Sequence, residues 1–475
     1  MAQKNDTPAL VLSLLITAAL IGGGLWWFMN RFNPSLPTST TVTPPTRQPA
    51  NLNPNNPVAF QDRFSQGEKL LVAEGASPEK KAGIEAIAAK NFPQAITALE
   101  TSLQNNRNDP EALIYLNNAR IGDQPARTIA VSVPTTQSTN PALEILRGVA
   151  QAQTQINQAG GINGTPLRVQ IVNDDNDANT CKEVAAALVQ DQSVLGVIGH
   201  FGSDATLAAG PVYEQGRLVM ISPTSTSVQV ATLGDYVFRT VPSDRFTASA
   251  LSRHMLNNLQ LQNAVVFFNS ESAYSQSLKD EFTTALTSDG GQVTAEVDLK
   301  SPGFNAQSAV KQATQQGVQA LVLAANTATL DQALQVVSAN NQQLRLLGGD
   351  SLYNPKVLQS GGATAEGMVV AVPWILLSNP NSPFAEASRR LWGGDVNWRS
   401  AMAYDATQAL IEGIRSNPSR QGVQSRLASS NFSFNGATGT VRFLASGDRN
   451  QPMQLVVIQP GSRSGYGYDF VPAPQ

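Results

Sequence analysis

The chain has 475 residues, of which 41% are hydrophobic, enough for a sizeable core and more than one folding unit. Its formal charge of −3 gives no global electrostatic case for nucleic acid. One cysteine, Cys181, excludes an intrachain disulfide, and with His200 and His254 it makes no metal-ligand spacing, so neither a metal nor another cofactor is expected.

Residues 9–29, ALVLSLLITAALIGGGLWWFM, carry no charge and are long enough as a helix to cross a hydrocarbon core of about 30 Å. Trp26 and Trp27 sit at one end, where amphipathic rings favour an interface. A cleaved signal peptide is the competing reading, but its apolar part is usually about 7–15 residues and ends in a small-x-small site. An uncleaved anchor is the expectation, without a lipid, since no cysteine follows the run. Residues 30–60 are rich in Pro, Ser, Thr and Asn and read as a disordered tether.

Residues 61–123 change to helical spacing. Ile84, Ile87 and Ala88 form one apolar stripe; Ala95, Ile96, Leu99 and Leu103 form another, and Pro110 suits the first turn of a third helix. Gly83, Phe92, Ala95, Leu99 and Pro110 resemble the small and aromatic positions of a tetratricopeptide unit. One unit buries its own faces poorly, so a plain helical hairpin packed on its neighbours is an equal alternative.

From residue 128 strands and helices alternate. TIAVSV precedes a helix over 140–159, LRVQIVNDD one over 180–190, VLGVIGH one over 204–215, and RLVMISP follows. NAVVFFNS, QVTAEVDL, ALVLAAN, RLLGGD and GMVVAVPW continue the series, too many strands for one ordinary sheet. The fold class expected is α/β, with parallel sheets divided between two lobes. Residues 438–460 hold no helical pattern and are expected to form one antiparallel hairpin turning at SGDRN.

Two consecutive strands end in hydroxyls: VLGVIGH runs into FGSDAT (201–206), and the next strand ends in SPTSTS (222–227). Ligands of open α/β sheets bind outside the carboxyl ends of strands, and free N–H groups at a helix start favour a carboxylate. The bland alternative makes Ser203 an N-cap and the threonines turn residues. GHFGSDA is not a nucleophile elbow, and GGINGTP lacks the Lys-Ser/Thr end of a phosphate loop, so catalysis is not expected.

The segment AGGINGTPLRVQIVNDD, the GH…S…T and ISP–T strand ends, YDA (404–406) and FNGATGTVRF resemble the leucine/isoleucine/valine-binding protein family. The resemblance covers about residues 128–460. It implies a two-lobed type I periplasmic-binding-protein fold, two doubly wound parallel sheets joined by a hinge. Lobe 1 would comprise about 126–242 plus 373–450, and lobe 2 about 243–372 plus 451–475. It also implies that Ser203, Thr224 and Thr226 hold a ligand α-carboxylate. Tyr274 would cover the ligand and Asp350 would take its α-ammonium, with Asp204, Ser225 and Tyr404 as further candidates. For Asp350 the competing reading is a helix N-cap, and for Tyr274 a packed aromatic.

The first-lobe loop VPTTQSTNPALE lacks the aromatic that often stacks on the ligand, and Ser275 stands where the family usually has glycine. Branched-chain specificity therefore does not transfer. The expected function is a membrane-tethered, periplasmic solute-binding protein that captures an amino acid and serves an ABC permease. The alternative is a ligand-independent envelope scaffold that regulates a cell-wall synthase. A sensory ectodomain is weakened because no signalling module appears.

Overall fold

The computed structural model describes residues 60–474, and the expected anchor and most of the tether lie outside them. Among the described residues no helix is long and apolar enough to cross a membrane.

The described chain opens with a 3₁₀ turn over Phe60–Arg63. A short strand, β1 (Phe64–Ser65), leads to α1 (Pro78–Ala88), α2 (Phe92–Asn105) and α3 (Pro110–Ile121). Each helix carries proline in its first turn and a capping side chain before it: Ser77, Asn91 and Asp109 accept from the third residue on. Nearly every residue of α3 is buried, because it lies against the next helix of the chain as well as its own partners. Asn117 Nδ2 donates to Thr154 Oγ1 (2.8 Å), and Asn118 Nδ2 donates to the Val169 carbonyl (2.7 Å).

Strand–helix alternation then builds the first lobe: β2 (Arg127–Val133), α4 (Thr139–Gln158), β3 (Leu167–Asn173), α5 (Ala178–Gln190), β4 (Val194–Ile198), α6 (Ser203–Gly216), β5 (Met220–Ser222) and β6 (Val237–Arg239). These strands form one sheet in the order β1-β3-β2-β4-β5-β6, parallel except for β1. The strands read as continuous apolar runs because helices cover both faces of a parallel sheet.

The chain continues through α7 (Asp244–Arg253), β7 (Asn263–Phe268), α8 (Ala273–Ser288), β8 (Gln292–Asp298), α9 (Ala306–Gln315), β9 (Ala320–Ala324), α10 (Leu330–Asn340), β10 (Arg345–Gly348) and β11 (Val369–Val372). It returns to the first lobe with α11 (Pro383–Trp392), α12 (Trp398–Ser416) and α13 (Arg420–Leu427), where α12 packs along α4.

The expected C-terminal hairpin does not form. Gly439–Val441 (β13) pairs instead with Phe434–Gly436 (β12), and Gln454–Pro460 (β14) enters the second sheet between β11 and β15 (Tyr468–Pro472). The SGDRN residues are committed elsewhere. Asp448 accepts from Arg239 Nε (2.6 Å), the Gly447 carbonyl accepts from Arg239 N (3.0 Å), and buried Arg449 donates to Thr438 Oγ1 (2.6 Å) and Asp405 (3.2 Å). Those long-range bonds fix the segment on the first lobe, so the strand after it crosses to the second. The second sheet runs β15-β14-β11-β10-β9-β7-β8.

Candidate functional site

The hydroxyl-rich strand ends meet around one carbonyl. After β4 the chain turns at Gly199, where φ is +134° and a β-carbon would lie 2.4 Å from the Ser132 carbonyl oxygen. The next carbonyl, of His200, accepts hydroxyls from Ser222 (2.9 Å), Ser225 (3.3 Å), Thr224 (3.5 Å) and Thr206 (3.5 Å). Thr224 donates more closely to the Phe201 carbonyl (2.7 Å), and Ser225 pairs with Thr206 Oγ1 (2.6 Å). Buried Arg239 donates to the carbonyls of Ser225 (3.2 Å) and Ser227 (2.7 Å). Most of the cluster therefore holds the turn itself. Thr224 and Ser225, both candidates for the ligand, have their hydroxyls occupied by the protein.

Two hydroxyls differ. Thr226 Oγ1 is buried and makes no hydrogen bond of normal geometry. Ser203 is the first residue of α6 rather than its N-cap, which is Gly202, and its Oγ accepts from Ser227 N (3.3 Å), leaving its O–H free to donate. No side chain caps that helix start. Ser203, Thr226 and the first-turn N–H groups are a donor set of the kind a carboxylate requires.

Under this turn, His200 Nδ1 lies 2.7 Å from Asp174 Oδ2, which also accepts from Ser132 Oγ (2.9 Å), and His200 Nε2 lies 3.2 Å from the Tyr213 hydroxyl. Cys181 joins Asp174 and His200 so that one ligand-type atom from each lies within 4.8 Å of the others, a grouping that sequence spacing concealed. Both imidazole nitrogens already have partners, and burial pushes the Cys181 thiol far up, so the residues fit a buried hydrogen-bond network better than a metal centre.

In the second lobe, Asp350 opens a short 3₁₀ turn and is not its N-cap; Gly349 is. The Asp350 carboxylate, 3% exposed, accepts from the Tyr274 hydroxyl (2.7 Å). A β-carbon at Gly349 would sit 2.4 Å from that hydroxyl oxygen, so the glycine makes room for the pair. Burial raises the Asp350 carboxyl, against the opposing pull of the Arg399 charge and the Tyr274 bond.

Two charged groups of the cleft escaped sequence reading. Asp244, the first residue of α7, is fully buried, and neither carboxylate oxygen makes a hydrogen bond of normal geometry. Burial pushes it up to about 7, opposed by the facing hydroxyls of Ser277 and Thr226 and reinforced by the Asp350 charge. Arg399, near the start of α12, is 4% exposed, donates from Nη1 to the Tyr353 carbonyl (3.2 Å) and lies 4.3 Å over the Trp398 ring. In the sequence each reads as an ordinary first-turn residue. Only the convergence of α7, α8 and α12 brings them to Thr226 and Asp350.

Asp204 takes a different place. Its carboxylate is exposed at the rim, where it accepts from Ala273 N (2.9 Å) and Ser272 Oγ (3.4 Å) at the start of α8 in the opposite lobe. Val228 N donates to Ser277 Oγ (3.1 Å) nearby, so the lobes meet directly. Tyr404 stands apart from the cleft residues. Its hydroxyl donates to Gln155 Oε1 (2.7 Å) and accepts from Gln408 Nε2 (3.0 Å), and its ring lies 4.9 Å from that of Phe384. Its hydroxyl bonds lie in the α4–α12 packing.

The model of the periplasmic binding protein family matches residues 128–464. The leucine-, isoleucine-, valine-, threonine- and alanine-binding protein of Pseudomonas aeruginosa is 22% identical over 269 residues, covering 56% of this chain and 72% of that protein. The Leu/Ile/Val-binding protein of Escherichia coli is 23% identical over 272 residues, covering 56% and 73%. Among solved structures, a leucine-binding protein of Thermotoga maritima superposes with a TM-score of 0.64 at 23% identity, covering 72% of this chain and 97% of its own. A Rhodopseudomonas palustris solute-binding protein in complex with benzoate gives 0.63 at 17% identity, covering 73% and 96%. The two-lobed fold is thus shared by proteins with different ligands, and by its sequence this chain belongs to the periplasmic binding protein family.

Proposed function

We propose that the chain is an extracytoplasmic solute-binding protein that closes on an amino acid or a similar small zwitterion and presents it to an ABC-type importer. The observation that carries the reading is the gathering of buried polar groups in one place: the Thr226 hydroxyl facing an Asp244 carboxylate that makes no hydrogen bond of normal geometry, beside Ser203 and Asp350. Buried polar groups are paired in native proteins, so such a cluster marks where a ligand supplies the missing bonds. Ser203, Thr226 and the α6 start would take the carboxylate, and Asp350 with Asp244 the ammonium. Tyr274 orients Asp350. Donors on one lobe and an acid on the other make the ligand a bridge, so its contacts favour the closed state.

The relatives' amino-acid ligands support the ligand class, and the family's usual compartment supports an extracytoplasmic site. Residues 9–29 would tether the protein to the membrane, with the helical segment between tether and lobes. A thermal-shift screen of the full chain against the twenty amino acids tests the reading. A ligand at about 100 times its Kd stabilises by about 2.7 kcal/mol. A shift with at least one amino acid is expected; no shift with any would favour a scaffold with an unused cleft.

A further inference from the structure

Residues 60–72 precede the region matched by the family, yet they contact the loop beneath the proposed carboxylate site. β1 pairs with the edge strand β3 at Phe64↔Val172 and Ser65↔Ile171. This places Arg63, 4% exposed, against the carboxyl end of β3. Its Nη1 donates to the Asn173 carbonyl (3.2 Å) and to Asp175 Oδ2 (2.6 Å).

The loop that Arg63 grips is unusual. Asp175 and Asn176 are successive non-glycine residues at φ +52° and +54°. Asp and Asn tolerate this region better than other non-glycine residues, but a successive pair still costs energy that surrounding bonds must offset. Asp175 also accepts from Asn173 Nδ2 (3.0 Å) and from the Thr136 hydroxyl on the loop after β2. Burial alone would raise its carboxyl, but the bonds from Thr136 and Arg63 outweigh burial and hold it below the usual range. The next residue delivers the effect. Asn176 Oδ1 accepts from Gly202 N (2.9 Å), the residue immediately before Ser203, and a β-carbon at Gly202 would lie 2.4 Å from that oxygen. Asp174, on the other side, holds His200. Both neighbours of Asp175 thus fix the strand end that carries Ser203.

The segment bearing Arg63 is itself anchored by the helices. Glu111 Oε1 accepts from Leu71 N (2.7 Å) and Val72 N (3.1 Å), the Tyr115 hydroxyl donates to the Lys69 carbonyl (2.9 Å), and Asn118 Nδ2 donates to the Gln66 carbonyl (2.7 Å).

We infer that the segment ahead of the binding fold is a working part of the binding lobe, in which Arg63 is a positioning residue that sets the Gly202–Ser203 strand end through the 173–177 loop. The inference concerns the unliganded geometry and rests on the proposed function only for its consequence.

The test is amide hydrogen exchange on the full-length protein without ligand, in Arg63→Met, Arg63→Lys and Asp175→Asn. Arg63→Met is expected to raise exchange at Gly202 and along 173–177 by tenfold or more. Arg63→Lys keeps the charge and is expected to restore most of the protection. Asp175→Asn tolerates the left-handed backbone and removes the anion from the other side, so it carries the test if Arg63→Met does not fold; it should also deprotect Gly202. A purely structural Arg63 would loosen only the β1–β3 edge, at residues 64–65 and 171–172. Unchanged protection at Gly202 in the folded variants would overturn the inference. Because no ligand is present, failure of the amino-acid reading leaves this result intact.

Discussion

The Thr226 hydroxyl is enclosed without a bond of normal geometry, while its neighbours Thr224 and Ser225 are bonded to the His200–Phe201 turn. Thr226→Val keeps the shape but removes a hydroxyl that faces the Asp244 carboxylate, so the unliganded melt should stay level at pH 4 and fall slightly at pH 8. A hydrogen bond to a charged group contributes about 1.5 kcal/mol or more, so amino-acid affinity should fall roughly tenfold or more. Melting and titration of the same variant check both halves. Asp244 adds a pH dependence. Its folded value of about 7 lies above the ordinary 3.8, so the folded protein holds the proton more tightly than the unfolded chain. Below about pH 4 both states are protonated and burial costs nothing extra. Stability is lost as pH rises from about 4 to 7, by an amount on the order of 4 kcal/mol, and the full loss remains above that window. Asp244→Asn should therefore melt near the parent at pH 4 and above it at pH 8. A constant difference at all pH values would remove Asp244 as a buried titrating acid. An ammonium held by the ionised form should bind roughly tenfold more tightly at pH 8 than at pH 6, as the competent fraction rises.

Two helix starts face each other across the cleft, and Asp204 of α6 accepts from the first N–H of α8. This contact exists only while the lobes touch. Losing a bond of about 1 kcal/mol shifts the open–closed ratio about fivefold. Asp204→Ala should raise the radius of gyration of the unliganded protein in X-ray scattering while lowering its stability by no more than about 1 kcal/mol; an unchanged radius would remove Asp204 as a latch. In the helical segment, Lys80 Nζ sits 2.7 Å from Glu111 Oε2 and 2.8 Å from Asp109, with Lys80 and Glu111 both buried. Lys80→Met leaves a buried carboxylate uncompensated, which should cost about 3–5 kcal/mol in denaturant unfolding. A cost under about 1 kcal/mol would mean that water reaches Glu111. The apolar stripes of this segment and Pro110 at the first turn of its third helix were legible in the sequence; the caps Ser77, Asn91 and Asp109 were shown by the structure. The segment's near-complete burial on one side was not legible, because α3 draws partners from α4 and β3, far along the chain.

Across the molecule, the strands from β2 to β11 other than β6 were legible because Gly and Pro punctuate short apolar runs between longer amphipathic helices, whereas β6 is only three residues long. The C-terminal pairing was not. Register there follows the bonds of Asp448 to Arg239 and of Arg449 to Asp405, both far away in sequence, rather than the local turn propensity of SGDRN. The site divides in the same way. Ser203, Thr226, Tyr274 and Asp350 could be nominated because strand-end position and family pattern are local properties. Asp244 and Arg399 could not, since each looks like a common helix-start residue until the elements converge. Tyr404, nominated from the same pattern, bonds α12 to α4 through Gln155.

The central claim is that the cleft holds a zwitterion between Ser203 with Thr226 and the acid of the second lobe. Calorimetric titration of the full chain and of Asp350→Asn, with the same twenty amino acids, tests it most directly. The account predicts saturable one-to-one binding of at least one amino acid to the parent, weakened about a hundredfold or more in Asp350→Asn, where an ion-paired acceptor becomes a neutral amide. Binding of equal strength to both proteins, or no binding to the parent, would contradict it.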